Sequence, residues 1–185
     1  MLEGNRCLEN QGIGIVYIVR SGGAARHNTC QKNGKDGIVV SDESQPVLEG
    51  NRCVENQRGG IVYDDHSGGS ARYNICQKNG KDGIVVLDKS QPVLEGNRCG
   101  ENEEDGIVYS DQSGGSARHN ACLKNSLVGI GVAGKSQPVL EGNRCDNNGG
   151  YGIYVTDSAR PKIGENSASG NKKENIRIER EKVKD

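Results

Sequence analysis

The residues of this chain that could do chemistry recur at one fixed distance. Cysteine stands at 7, 30, 53, 76, 99, 122 and 145, every 23 residues, and Ala168 takes the next place. A thiol site for zinc needs closely spaced pairs such as C-x-x-C, and the chain has none. An odd number of evenly spaced thiols reads instead as a buried stack, where cysteine behaves as a small hydrophobe. Stacked neighbours fall within disulfide reach by Cα distance, yet an unsealed row of seven favours a reducing, cytoplasmic compartment. Histidine adds little. His27 and His119 share a column but stand four repeats apart, too far to hold one metal or one substrate atom. His66 sits beside Asp64 and Asp65, with no Ser or Cys nucleophile nearby that departs from the repeat. No catalytic residue is assigned, the chain reads as more non-enzymatic than enzymatic, and no cofactor is expected.

Three further columns bear on binding. Asp42, Asp65, Asp88, Asp111 and Asp157 repeat at the same interval, preceded by Val19 and interrupted by Gly134. Like charges a strand apart repel, so the column is a weak candidate for hard cations. The simpler reading is a turn residue accepting backbone hydrogen bonds, because no second acidic column stands beside it to complete a coordination shell. Val16, Val39, Val62, Val85 and Val108 form an outward apolar column that ends at Gly131, Tyr154 and Arg177. A contiguous patch of that kind marks an interaction face for a protein partner or a second copy. Tyr151 and Tyr154, near Asn147 and Asn148, are the exposed aromatic pair that a sugar platform would want.

The elements that position these columns follow from the period. Eight copies of 23 account for 184 of the 185 residues without an insertion. Asn columns run from Asn5 to Asn166 and from Asn10 to Asn171, and an Ile column from Ile15 to Ile176. Segments such as GIVV and VLEGNRC alternate apolar and polar residues with β-branched enrichment, which predicts short strands. Gly, Asn, Asp, Ser and Pro cluster between them as turn material, and Pro46, Pro92, Pro138 and Pro161 forbid helix at one corner. The fold class is therefore all-β: a right-handed parallel β-helix solenoid of about eight coils of 23 residues, with three short strands per coil. The repeats are expected over 1–174 and a charged C-terminal strand or cap over 175–185. Composition agrees. Apolar residues are 32%, against roughly 45–50% in a typical soluble domain, so no deep conventional core is available. Net charge is −1, and a balanced surface argues against a nucleic-acid groove. No apolar run is long enough for a membrane span.

The columns also say how coils stack. The Ile, Cys, Leu/Ala and Tyr17/Val40/Tyr63/Val86/Tyr109/Val132 columns should point inward. A finer period of 46 alternates Leu48 and Gly50 with Ala71 and Tyr73, or Ala25 and His27, which predicts complementary large–small pairs in the interior. Two outward columns alternate in sign, Glu3/Arg26/Glu49/Arg72/Glu95/Arg118/Glu141 and Glu9/Lys32/Glu55/Lys78/Glu101/Lys124. Such ladders favour one register and cancel any long-range field.

The units GIVVSDESQPVLEGNRCVEN and GIVVLDKSQPVLEGNRCGEN resemble the right-handed β-helix repeats of the pectin-lyase-like superfamily. They are closest to the subset shared by carbohydrate-binding and sugar-hydrolase (CASH) domains, NosD-type periplasmic proteins and the F-box protein with β-helix repeats. That resemblance implies the fold over nearly the whole chain. Polysaccharide lyases, hydrolases and mannuronan epimerases of the superfamily build clefts from long loops between coils, whereas every coil here is 23 residues and the epimerase Asp-Pro-His motif is absent. The expected function is a non-catalytic scaffold, working through the flat Val face or the open N-terminal coil, with homodimerisation as one outcome. The alternative is a carbohydrate-binding or polysaccharide-processing module. The segment MLEGNRCLENQG carries no apolar leader.

Overall fold

The computed structural model describes residues 1–156 and 158–179. Asp157 of the Asp column and residues 180–185 of the expected cap lie outside the described residues. Strands pair only with their counterparts one coil above and below, which gives three parallel sheets of eight strands each. In the third coil they are Val47–Glu49 in the first sheet, Arg52–Val54 in the second and Ile61–Tyr63 in the third. The register offset is 23 residues throughout, so Leu48 pairs with Ala71, Cys53 with Cys76 and Ile61 with Ile84. The last strand, Ile176–Ile178, closes the third sheet beside Ile153–Val155.

Short strands suffice because each coil turns its corners with single residues in the left-handed region. Tyr73 (φ 55°), Lys78 (φ 54°) and the pair Asp88 (φ 42°) and Lys89 (φ 60°) mark the corners of one coil. A left-handed non-glycine residue costs roughly 1–2 kcal/mol, and the fold meets this cost with a polar spine at each bend. At the first two corners the spines are the asparagine columns. Asn51 donates from its backbone N–H (2.8 Å) and its side-chain amide (3.0 Å) to Asn74 Oδ1, and the same amide donates to the Ala25 carbonyl (2.9 Å). Every donor and acceptor of the buried amide is thereby used. At the third corner a buried serine column does this work: the Ser67 hydroxyl donates to the Val40 carbonyl at 3.0 Å, and its N–H donates to Ser90 Oγ at 3.1 Å. That column, Ser21, Ser44, Ser67, Ser90, Ser113 and Ser136, went unread in the sequence although it repeats in six coils.

The inward columns pack as expected. Ile38, Cys53, Leu48, Tyr63, Val86 and their counterparts in the inner coils are fully buried, whereas Leu2 and Ile176 in the end coils are exposed. All seven thiols are free. Hydrogen bonding to the next thiol, together with burial, pushes Cys30 and Cys122 far above the usual thiol range. The volume alternation takes a different form from the one expected. Tyr73 is 61% exposed, and His27 and His119 are exposed too, so these side chains do not fill the interior. The left-handed residue resets the strand alternation, and two residues past Ala71 the side chain points outward. Its ring covers the glycine of the next coil: a Cβ on Gly96 would lie 2.7 Å from the Tyr73 ring. Inside, the alternation is by coil. Leu48 and Tyr63 share a large coil, and Ala71 and Val86 share the small coil above it. Two polar defects result: the Tyr63 and Tyr109 hydroxyls are buried without a hydrogen-bond partner among the described residues.

The first charge ladder forms in pairs, Arg26–Glu49 (3.0 Å), Arg72–Glu95 (3.2 Å) and Arg118–Glu141 (3.3 Å). The second is looser. Among the described residues its ion contact is Lys78–Glu101 at 3.9 Å.

Candidate functional site

Each third-sheet strand begins with an inward Ile and places the next residue on the outer face. Val62 therefore stacks on Val39 and Val85, and Val85 on Val108, in register. Val16, in the first coil, is 46% exposed, while the other four valines are half-buried. They are half-buried because the loop entering the strand rises beside them. That loop carries a second unread column, Ile13, Asp36, Gly59, Asp82, Asp105, Val128 and Tyr151. Its Ile13, Asp36, Gly59 and Asp82, together with Asp64 and Leu87 on the far side, wall a groove of about 320 Å³ whose floor is Val39, Val62 and Val85 and whose rim carries Arg58 and Lys81. A larger hollow, about 470 Å³, lies at the Gly/Pro corner between Gln91, Gln112, Lys135 and Gln137, and no aromatic ring lines it.

The carboxylates of this loop column are tied down from one side. Asp36 Oδ1 accepts the Gly59 N–H (2.9 Å), Asp82 Oδ1 the Asp105 N–H (2.9 Å), and Asp105 Oδ1 the Val128 N–H (2.8 Å). Each carboxylate thus caps the loop of the next coil. Burial pushes Asp82 up from its ordinary range. Burial, with Asp82 and Glu104 nearby, lifts Asp105 to about 7.

The structure brings two of the sequence candidates together. Tyr154 occupies the Val column itself, pairing across Gly131. Tyr151 stands in the loop column, and the two rings stack at 4.6 Å with 13° between their planes. The Tyr154 hydroxyl donates to Glu179 at 2.8 Å, and Lys173 Nζ lies 5.0 Å from the Tyr151 ring centre. The valines and the tyrosine pair therefore lie on the same outer face of the third sheet, with Gly131 between Val108 and Tyr154.

The other candidates are not assembled. Asp42, Asp65, Asp88 and Asp111 are exposed left-handed turn residues. Among the described residues no three His, Cys, Asp or Glu side chains come together as a cation site. The aspartates' preference for the turn is local: small polar side chains tolerate this conformation, and Ser110 donates to Asp111 Oδ2 at 2.8 Å. His66 Nδ1 meets Asp65 at 3.0 Å on an exposed turn.

The family model for the right-handed β-helix region matches residues 1–91 and 60–182, so the two matches overlap and span almost the whole chain. The chain belongs to the right-handed β-helix family. Its backbone is similar to solved structures of the periplasmic alginate epimerase AlgG. One single-site variant of that enzyme superposes with a TM-score of 0.80 at 22% identity, covering 95% of this chain and 45% of that one. The AlgG structure without a named substitution gives 0.74 at 21% identity, covering 92% and 44%. This β-helix chain therefore spans a little under half the length of those epimerase chains, and at such identity the likeness is one of fold. It agrees with the pectin-lyase-like resemblance of the repeat units. No curated protein sequence matches the chain significantly.

Proposed function

We propose that this β-helix holds an extended polysaccharide along the third-sheet groove. The observation that supports the reading is the convergence on one face of a valine floor, a stacked tyrosine pair and a row of half-sequestered carboxylates. An apolar floor with a few placed polar groups is the usual make-up of a ligand cleft. Exposed aromatic surface with polar tips suits the mixed character of sugars. The structural relatives named above include an enzyme that acts on alginate. Binding to a panel of immobilised neutral, amino and acidic polysaccharides tests the reading. Val62→Lys/Val85→Lys, which fills the floor with charge, is expected to weaken retention by about tenfold or more. Equal retention of this variant and the parent chain would remove the groove from consideration.

A second reading assigns the same valine face to a protein partner or a second copy. Supporting it, Val16 of that column and Leu2, Ile18 and Val19 elsewhere in the first coil are exposed apolar residues. Light scattering on a reduced sample at several concentrations separates the readings. A dimer that the two lysine substitutions dissociate would favour self-association over glycan binding.

A further inference from the structure

The first coil carries core-type residues with no coil beneath them. Its strands, Leu2–Glu3, Arg6–Leu8 and Ile15–Tyr17, each stand at the edge of a sheet and present a row of unpaired backbone groups. Leu2 and Val16 are exposed, and with Arg6, Cys7 and Ile15 they line an open hollow of about 480 Å³. Asn5 and Asn10 donate upward to Asn28 and Asn33. Their own Oδ1 atoms, which in inner coils accept from the asparagine below, have no donor among the described residues. The opposite end turns its spare amides on itself: Asn166 donates to the Gly164 carbonyl at 3.0 Å and Asn171 to Asn175 Oδ1 at 3.2 Å. Two opposite charges in the first coil are also uncommitted. Glu3 and Arg6 are exposed, and neither enters an ion pair among the described residues, since Arg26, above Glu3, is held by Glu49.

We propose that the first coil is the interface between two copies of this chain, packed head to head about a two-fold axis perpendicular to the solenoid. The proposal rests on the self-association reading and moves its contact from the valine face to the coil end. Such an axis sets the edge strands antiparallel, the more stable of the two ladder types. With Leu2 opposite the partner's Cys7, Glu3 faces the partner's Arg6, and by symmetry Arg6 faces the partner's Glu3. The same operation, one repeat of 23 residues further along, sets Val16 on the partner's Val16, Ile15 opposite the partner's Tyr17 and Val19 opposite the partner's Ile13. One axis therefore serves all three strands. It also keeps inside and outside in order. Leu2, Cys7, Ile15 and Tyr17 belong to the inward columns and meet inward residues, while Glu3, Arg6 and Val16 meet outward ones. A slip of one residue would set inward against outward, and a slip of two would separate the charge pairs. Reciprocal ion pairs thus select the register, and exposed Val16 and Val19 are covered. The valine column then runs from one copy into the other, a longer floor than either copy has alone.

Sedimentation equilibrium of the reduced protein tests this, with a dimer expected for the parent chain. Glu3→Arg and Arg6→Glu each set like charges together at both symmetric contacts, and each is expected to weaken the dimer by about tenfold or more. The double variant Glu3→Arg/Arg6→Glu reverses both pairs and is expected to recover the parent dissociation constant within about threefold. Both side chains are exposed, so melting curves of the variants should match the parent. Val62→Lys/Val85→Lys, which alters the face away from the first coil, is expected to leave the dimer intact. A monomer at every concentration, or a double variant no tighter than the single ones, overturns the head-to-head contact. A dimer that only the lysine substitutions dissociate also overturns it, and returns self-association to the valine face. Polysaccharide retention by a monomeric Glu3→Arg variant would leave the groove reading standing in each case.

Discussion

Asp105 shows how much one residue position reports. Its carboxyl is held protonated up to about pH 7 by burial and by the neighbouring acids Asp82 and Glu104, whereas an unfolded chain would release that proton near pH 4. Between those limits the folded state binds more protons than the unfolded state, so this group lowers stability as pH rises through the window. Asp105→Asn is therefore expected to flatten the pH dependence of stability between about 4 and 7 and to stabilise the protein at pH 8, on the order of 2–4 kcal/mol. Urea melts of both proteins across that range check it. An unchanged slope would mean that water reaches the carboxylate freely. The perturbed environment of Asp105 was not legible in the sequence. Its column reads Ile13, Asp36, Gly59, Asp82, Asp105, Val128 and Tyr151, a mixed set whose closeness to the valines appears only once the loop path is known. The valines and the tyrosine pair were legible because each departs visibly from its surroundings.

At the scale of the element, corners rather than strands decide the fold. Strands of three residues have too few ladder bonds to hold alone, and the asparagine and serine spines supply the satisfied polar groups that let coils stack. Asn74→Ala would strand both donors of Asn51 that now meet Asn74 Oδ1. It would also free the Leu48 carbonyl, which accepts the Asn74 amide at 3.0 Å. The expected loss is about 2–4 kcal/mol, since each buried unpaired group costs about 1–3. Chemical denaturation measures it, and a loss below about 0.5 kcal/mol would show that water or backbone movement replaces the spine. The same corners explain what sequence reading misjudged. Alternation along a strand placed Tyr73 inside, but the left-handed turn at φ 55° breaks the alternation at that residue. Periodicity carries no sign of such a reset. The asparagine columns, by contrast, were plain because they repeat in all eight coils.

For the whole molecule, the repeat of 23 residues sets the coil, and the repeat of 46 sets what lies on what. Deleting residues 47–92 would bring Leu94 onto Ala25, Tyr109 onto Val40 and Glu95 onto Arg26, preserving both volume and charge alternation. Deleting 70–92 alone would bring Leu94 onto Leu48, Tyr109 onto Tyr63 and Glu95 onto Glu49. The two-coil deletion is expected to fold with a cooperative melt. The one-coil deletion is expected to lose several kcal/mol through overpacking and like-charge contact, although it removes less of the chain. Circular dichroism melts rank them, and the reverse order would mean that the alternation carries no structural weight. Overall architecture was the most legible property of all, since an unbroken period admits few ways to bury its apolar columns.

The central claim is that the third-sheet face, and neither of the other two, is the ligand surface. Backbone amide shifts of the labelled protein during titration with an oligosaccharide test it most directly. Perturbations confined to Val62, Val85, Val108, Asp105, Gly131 and Tyr154 are the predicted result. Perturbations confined to the outward faces of the first and second sheets, or none with neutral, amino or acidic oligosaccharides, would contradict it.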